Sequence, residues 1–135
     1  MNPLSDIRQY NPNMTISQVM KFCEKKGMNI TRAMIQNYIR DGLMPSPVNK
    51  RFYTHNHLAA LALIDKLKTV FEISAIKEAL TPFLDNEGIP LETYTTLIEK
   101  AGELTHEILS QKQESGTLAT MLCAAGIKEG VGMPV

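Results

Sequence analysis

The stretch TISQVMKFCEKKGMNITRAMIQNYIRDG, residues 15–42, decides the fold. It opens with Thr15-Ile16-Ser17-Gln18, a threonine followed three places later by glutamine. That is a capping box, in which each residue's side chain satisfies the other's free backbone N–H. Ile16, Val19, Met20 and Cys23 follow helical spacing, with Phe22 beside them, and Gly27 supplies the stop. Thr31 caps a second helix running to Asp41, closed by Gly42. Its apolar face is Met34, Ile35, Tyr38 and Ile39, and its opposite face is Arg32, Gln36, Asn37 and Arg40. Two short capped helices with a tight glycine-containing turn between them predict a helix-turn-helix.

Working outward, Leu43 to Tyr53 contains Pro45 and Pro47, which forbid helix. Asn49 suits a turn tip and Arg51-Phe52-Tyr53 has strand character, so a small β-hairpin, or wing, is expected here. Thr54 caps a third helix whose wide stripe of Leu58, Leu61, Ala62, Ile64 and Leu67 implies burial. Ile73, Ile76 and Leu80 mark a fourth, closed by Thr81-Pro82, and Asp85-Asn86-Glu87-Gly88 is a turn. Pro90 suits the first position of a long fifth helix reaching about Glu114. Along it Tyr94, Leu97, Ala101, Leu104 and Ile108 recur at spacings of three and four, a short seam of coiled-coil type. The nearly uncharged run Thr117 to Ala125, with Leu118, Met121, Leu122 and Cys123, predicts a short C-terminal helix that needs a surface to bury against. In the other direction, residues 1–14 carry two prolines and three asparagines with no period, and read as a flexible arm.

The chain has 135 residues and no net charge, but its charge is unevenly placed. Lys21 to Arg51 holds seven basic residues against two acidic ones. From Glu72 onward there are four basic residues against ten acidic ones. A local positive field can attract phosphate even when the whole molecule is neutral. No run reaches the roughly 18 apolar residues of a membrane span, and the start has no basic segment followed by an apolar one. Cys23 and Cys123 lie far apart, which argues against a disulfide framework. A cytoplasmic location is expected.

The order of these pieces resembles the MerR family of transcription regulators. The resemblance is carried by Ile30-Thr31 through Ile35, Tyr38, Arg40, Gly42-Leu43-Met44-Pro45, Arg51-Phe52-Tyr53-Thr54, Leu58 and Ile76-Lys77-Glu78-Ala79-Leu80. It covers about half the chain and looks most like the bacterial MerR-like families that are domains of unknown function. The resemblance implies a mainly α fold. It comprises a winged helix-turn-helix with a small β wing, then a long dimerisation helix and a short C-terminal helix. The domains implied are an arm at 1–14, a DNA-binding domain at 15–81 and a helical dimerisation segment at 82–135. Family members bind operator DNA as homodimers, with the second helix in the major groove and the wing on flanking backbone. Carried onto this sequence, the DNA-binding residues are Thr31, Arg32, Gln36, Asn37, Tyr38, Arg40, Lys50, Arg51 and Tyr53. The dimer seam is Tyr94, Leu97, Ala101, Leu104 and Ile108. Members usually have arginine at the positions of Ala33 and Gln36, and a serine or threonine cap at the position of Glu72. The Gln36 amide can read adenine.

The bland readings are a solvated polar face for Arg32, Gln36, Asn37 and Arg40, and core packing for Tyr38 and Tyr53. His55 and His57, two residues apart on a helix, point to different sides, so no metal pair is expected. No histidine joins a nucleophile motif and there is no glycine-rich phosphate loop. Neither enzymatic activity nor a cofactor is expected. Two other classes compete with the DNA-binding regulator. One is a protein-interaction module on the same scaffold, suggested by net neutrality and Ala33. The other is a small effector sensor with a pocket between the long helix and the segment Leu118 to Cys123.

Overall fold

The computed structural model describes residues 7–109 and Leu122. Helices α1 (Ile16–Lys25), α2 (Arg32–Arg40), α3 (His55–Leu67), α4 (Ile73–Leu80) and α5 (Leu91–Leu109) follow one another, with a 3-10 turn at Thr81–Phe83. The capping chemistry of the opening stretch is in place. Gln18 N–H donates to Thr15 Oγ1 at 3.3 Å, and Thr15 N–H donates to Gln18 Oε1 at 2.8 Å. Met34 N–H donates to Thr31 Oγ1 at 3.1 Å. At the other ends, Gly27 and Gly42 take φ of +71° and +79°. In both helices the next residue's N–H reaches back to close the last turn, Met28 to Cys23 O and Leu43 to Tyr38 O, each at 2.8 Å. This left-handed cap is open to glycine without steric cost.

Helix α3 is the centre of the molecule. His57, Leu58, Ala59, Ala60, Leu61, Leu63, Ile64 and Leu67 are all buried, so apolar side chains surround it on nearly every side. A helix apolar all round belongs in a core. Each large side chain buried there contributes about 1.5–3 kcal/mol of transfer free energy. Its most extensive helix partner is α5. The α1–α2 turn is tied to the far end of α3: Asn29 N–H donates to Asp65 Oδ1 at 3.3 Å, and Lys68 Nζ donates to Asn29 O at 3.0 Å. The turn before α5 is tied to its near end. Ile89 N–H donates to Asn56 O at 3.1 Å, and Asn56 Nδ2 donates to Asp85 Oδ2 at 3.1 Å. Gly88, at φ +134°, passes so close that a Cβ there would stand 2.2 Å from Asn56 O.

Three expectations are corrected. First, there is no β wing, and no strand occurs among the described residues. Residues 45–53 form a tight loop closed by one antiparallel bridge, Val48 with Phe52. Val48 N–H donates to Phe52 O at 2.7 Å and Phe52 N–H to Val48 O at 3.0 Å. The arms cannot lengthen, because Pro45 and Pro47 offer no N–H to a ladder. Asn49 and Lys50 both take positive φ, which folds the chain back at once.

Second, residues 7–14 are anchored at Ile7, Tyr10 and Met14 and do not form a loose arm. Ile7 and Met14 are each 1% exposed, and Tyr10 meets the Phe22 ring edge-on at 5.2 Å. Met14 and Tyr53 exchange both backbone hydrogen bonds at 2.8 Å, and His55 Nε2 lies 2.7 Å from Tyr10 O.

Third, most of the α5 seam is covered within the chain. Tyr94, Leu97, Ala101 and Leu104 are buried within the chain itself, and Ile108 is half-buried. Beside the seam, Thr105 Oγ1 donates to Ala101 O at 2.8 Å and approaches Lys66 O of α3 at 3.4 Å. The side chains offered to a partner are thus consumed by α3 and its neighbours. Leu122 is buried in the same core. The expected end of the fifth helix and the rest of the C-terminal segment, Leu118, Met121 and Cys123 included, lie outside the described residues.

Candidate functional site

The outward face of α2 is the surface to be explained. Ile35 and Tyr38 turn inward and are buried, while Arg32, Ala33, Gln36, Asn37 and Arg40 are exposed. Thr31 is exposed at the cap. Beyond the Thr31 cap, Arg32 and Arg40 hold protein partners. Arg32 Nη2 donates to Ser17 Oγ on the first turn of α1 at 3.0 Å. Arg40 Nε pairs with Asp41 Oδ1 at 3.2 Å, on the open surface.

The loop is linked to Arg32 through the start of α1. Thr15 follows Met14, and Phe52 precedes Tyr53, so the Met14–Tyr53 bridge runs the start of α1 beside the loop. Ser17 then carries the Arg32 guanidinium. Arg32, the first turn of α1 and the loop therefore adjoin in sequence of contact. At the loop tip Lys50 and Arg51 are exposed, and the Arg51 guanidinium stands over the Phe52 ring at 5.4 Å. Arg40 sits eight residues along α2 from Arg32, about 12 Å at helical rise.

Two predicted contact residues do not belong to this surface. Tyr38 is 5% exposed and Tyr53 7% exposed. Burial raises both phenol pKa values above the usual range, with the charge of Asp65 adding to the effect at Tyr38. Tyr38 faces the core because it lies three residues from Ile35 on the same side of α2. Tyr53 is held by its backbone pairing and meets the His57 ring edge-on at 5.3 Å. Burial and the nearby Asp65 also push the Cys23 thiol up to about 11, which leaves it a packed, unreactive group.

The structure also brings in residues that the sequence reading left out. Ser17 is one, found only through Arg32. Lys77 on α4 is another: its Nζ would lie 3.6 Å from a Cβ on Gly42, so it reaches over the C-terminal end of α2. There a cation meets the negative end of the helix. His57 is the third. Thr54 N–H donates to His57 Nδ1 at 2.9 Å, and Nε2 lies 3.0 Å from Ser46 O. The neutral ring with its proton on Nε2 satisfies both contacts, which ties the loop to the start of α3. Desolvation by burial lowers the His57 pKa despite opposing effects from the Ser46 and Pro45 carbonyls, Glu87 and Asp85. The signal was present in the spacing: Thr54-His55-Asn56-His57 repeats the threonine-to-third-residue pattern of Thr15 and Gln18.

The fold and site thus define a small helical protein built on two capped helices docked against a buried central one. The family model described as Domain of unknown function (DUF1836) matches residues 4–97, well over half of the 135, and the chain belongs to that family. No curated protein and no solved structure matches the chain. Among the described residues no helix is long and apolar enough to cross a membrane.

Proposed function

We propose that this protein is a DNA-binding regulator of transcription, related in type to the MerR-like proteins, in which α2 enters the major groove of duplex DNA. The observation that carries the reading is the division of α2 into a buried apolar face and an open polar one that carries Arg32 and Arg40. Phosphates are gripped well by arginine, whose planar fork presents several donors at once. In this reading Arg32, Arg40, Lys50 and Arg51 lie along the backbone, and Thr31 adds the positive end of α2. Tyr38 and Tyr53 serve as packing. The short loop replaces a wing and touches backbone over a shorter reach. Helix α5 stabilises the domain and takes no part in pairing subunits through its apolar seam.

The test is a titration of the full chain against mixed genomic duplex fragments at low salt, with circular dichroism confirming the fold. Binding is expected to weaken linearly with salt on logarithmic axes, because each neutralised phosphate releases counterions. A folded protein that binds no duplex at low salt overturns the reading.

A further inference from the structure

We infer that α2 reads A·T base pairs, with the Ala33 methyl against thymine methyl groups and the Gln36 and Asn37 amides on adenine; this rests on the DNA-binding reading above. Positions 33, 36, 37 and 40 fall three and four residues apart, and so share one face of the helix. All four are exposed. A side chain that reads a base must present its hydrogen-bonding groups to the groove unoccupied. The Gln36 and Asn37 amides hold no partner among the described residues and meet that condition. Each offers a donor and an acceptor side by side, the pattern that pairs with adenine N6 and N7. Ala33 presents only a methyl group, which suits the thymine methyl in the same groove.

The residues that read guanine are arginine and lysine, through O6 and N7. Each arginine of this surface touches another side chain, Arg32 and Arg51 away from the face shared by positions 33, 36 and 37, and Arg40 at its C-terminal end. Arg32 is drawn sideways to Ser17 at 3.0 Å. Arg40 is held by Asp41 at 3.2 Å, and Arg51 lies over Phe52 at 5.4 Å. Arg32 in particular reaches toward α1, a direction that suits a backbone contact better than a base contact. Helix α2 carries no carboxylate, so it has none to accept from cytosine N4.

The experiment selects bound sequences from a randomised duplex pool with the full chain. It then remeasures the selected duplex with uracil in place of thymine, and separately with 7-deaza-adenine in place of adenine. A·T pairs are expected at the enriched positions. Uracil, which lacks the methyl, weakens binding by about fourfold, the transfer value of one buried carbon. Loss of N7 removes one of the two hydrogen bonds and weakens it by roughly 2- to 12-fold. The exposed substitution Gln36→Ala removes the sensitivity to 7-deaza-adenine at its position and leaves helicity intact. No duplex binding by folded protein overturns the DNA-binding reading itself. Binding with no base preference, with a preference for G·C, or with an A·T preference that neither analogue disturbs overturns this inference alone.

Discussion

Helices α2 and α5 both present a periodic stripe, yet the two stripes have opposite fates. On α2 the polar residues opposite Ile35 and Tyr38 remain in solvent. On α5 the apolar seam through Leu97, Ala101 and Leu104 is fully enclosed by the chain's own side chains. The difference lies in what a stripe specifies. A polar face opposite a buried one can only point to water or to a polar partner. An apolar seam demands burial but says nothing about which chain supplies the cover.

The largest test of that contrast is Leu104→Ala. Leu104 is 0% exposed, and truncating a buried leucine costs about 2–5 kcal/mol. Urea unfolding should show a loss in that range, and its midpoint should not move when protein concentration is raised tenfold. A midpoint that climbs with concentration would mean that a second chain covers the seam. Next in size is Gly88→Ala at the joint that delivers α5 to α3. Its Cβ would meet the Asn56 carbonyl at 2.2 Å, in backbone where side chains are strained, so a loss of about 1–3 kcal/mol is expected in the same assay. An unchanged midpoint would show that the joint yields freely.

On the open side, Arg51→Ala should leave the unfolding midpoint nearly unmoved. It should weaken duplex binding several-fold and reduce the salt slope by about one. A slope equal to that of the unaltered protein removes Arg51 from the interface. The smallest expected effect concerns pH. The unfolded chain protonates His57 more readily than the folded one, since burial lowers its pKa in the fold. Its contribution to stability is therefore complete above the unfolded value of about 6.5. It drains away as pH falls from there toward the folded value. Denaturation midpoints measured between pH 7.5 and 5 should decline, and His57→Gln should flatten that part of the decline. Equal slopes in the two proteins would relieve His57 of the role.

Much of this architecture was readable from local chemistry. Thr15, Thr31 and Thr54 announce helix starts, and Gly27 and Gly42 announce ends, because capping depends on a few adjacent backbone groups. The exposed face of α2 was readable for the same reason: the helical period alone separates Gln36 from Ile35. What escaped depends on distant pairings. The Arg51-Phe52-Tyr53 run has strand composition, but Tyr53 pairs with Met14 and Phe52 with Val48, so no two-stranded ladder forms. Tyr38 and Tyr53 are amphipathic residues whose hydroxyls left their facing undecided until the core was seen. Residues 7–14 lack any period, and what anchors them is distant: Met14 with Tyr53, Tyr10 with His55 and Phe22, and the burial of Ile7.

That last attachment bears on how the molecule is made. Met14 leaves the ribosome long before Tyr53, its partner in both backbone hydrogen bonds. The bridge at the start of the first helix can close only once some forty further residues have emerged. Closure then comes late and at one stroke, and the amides of Met14 and Tyr53 should exchange their hydrogens as a single unit.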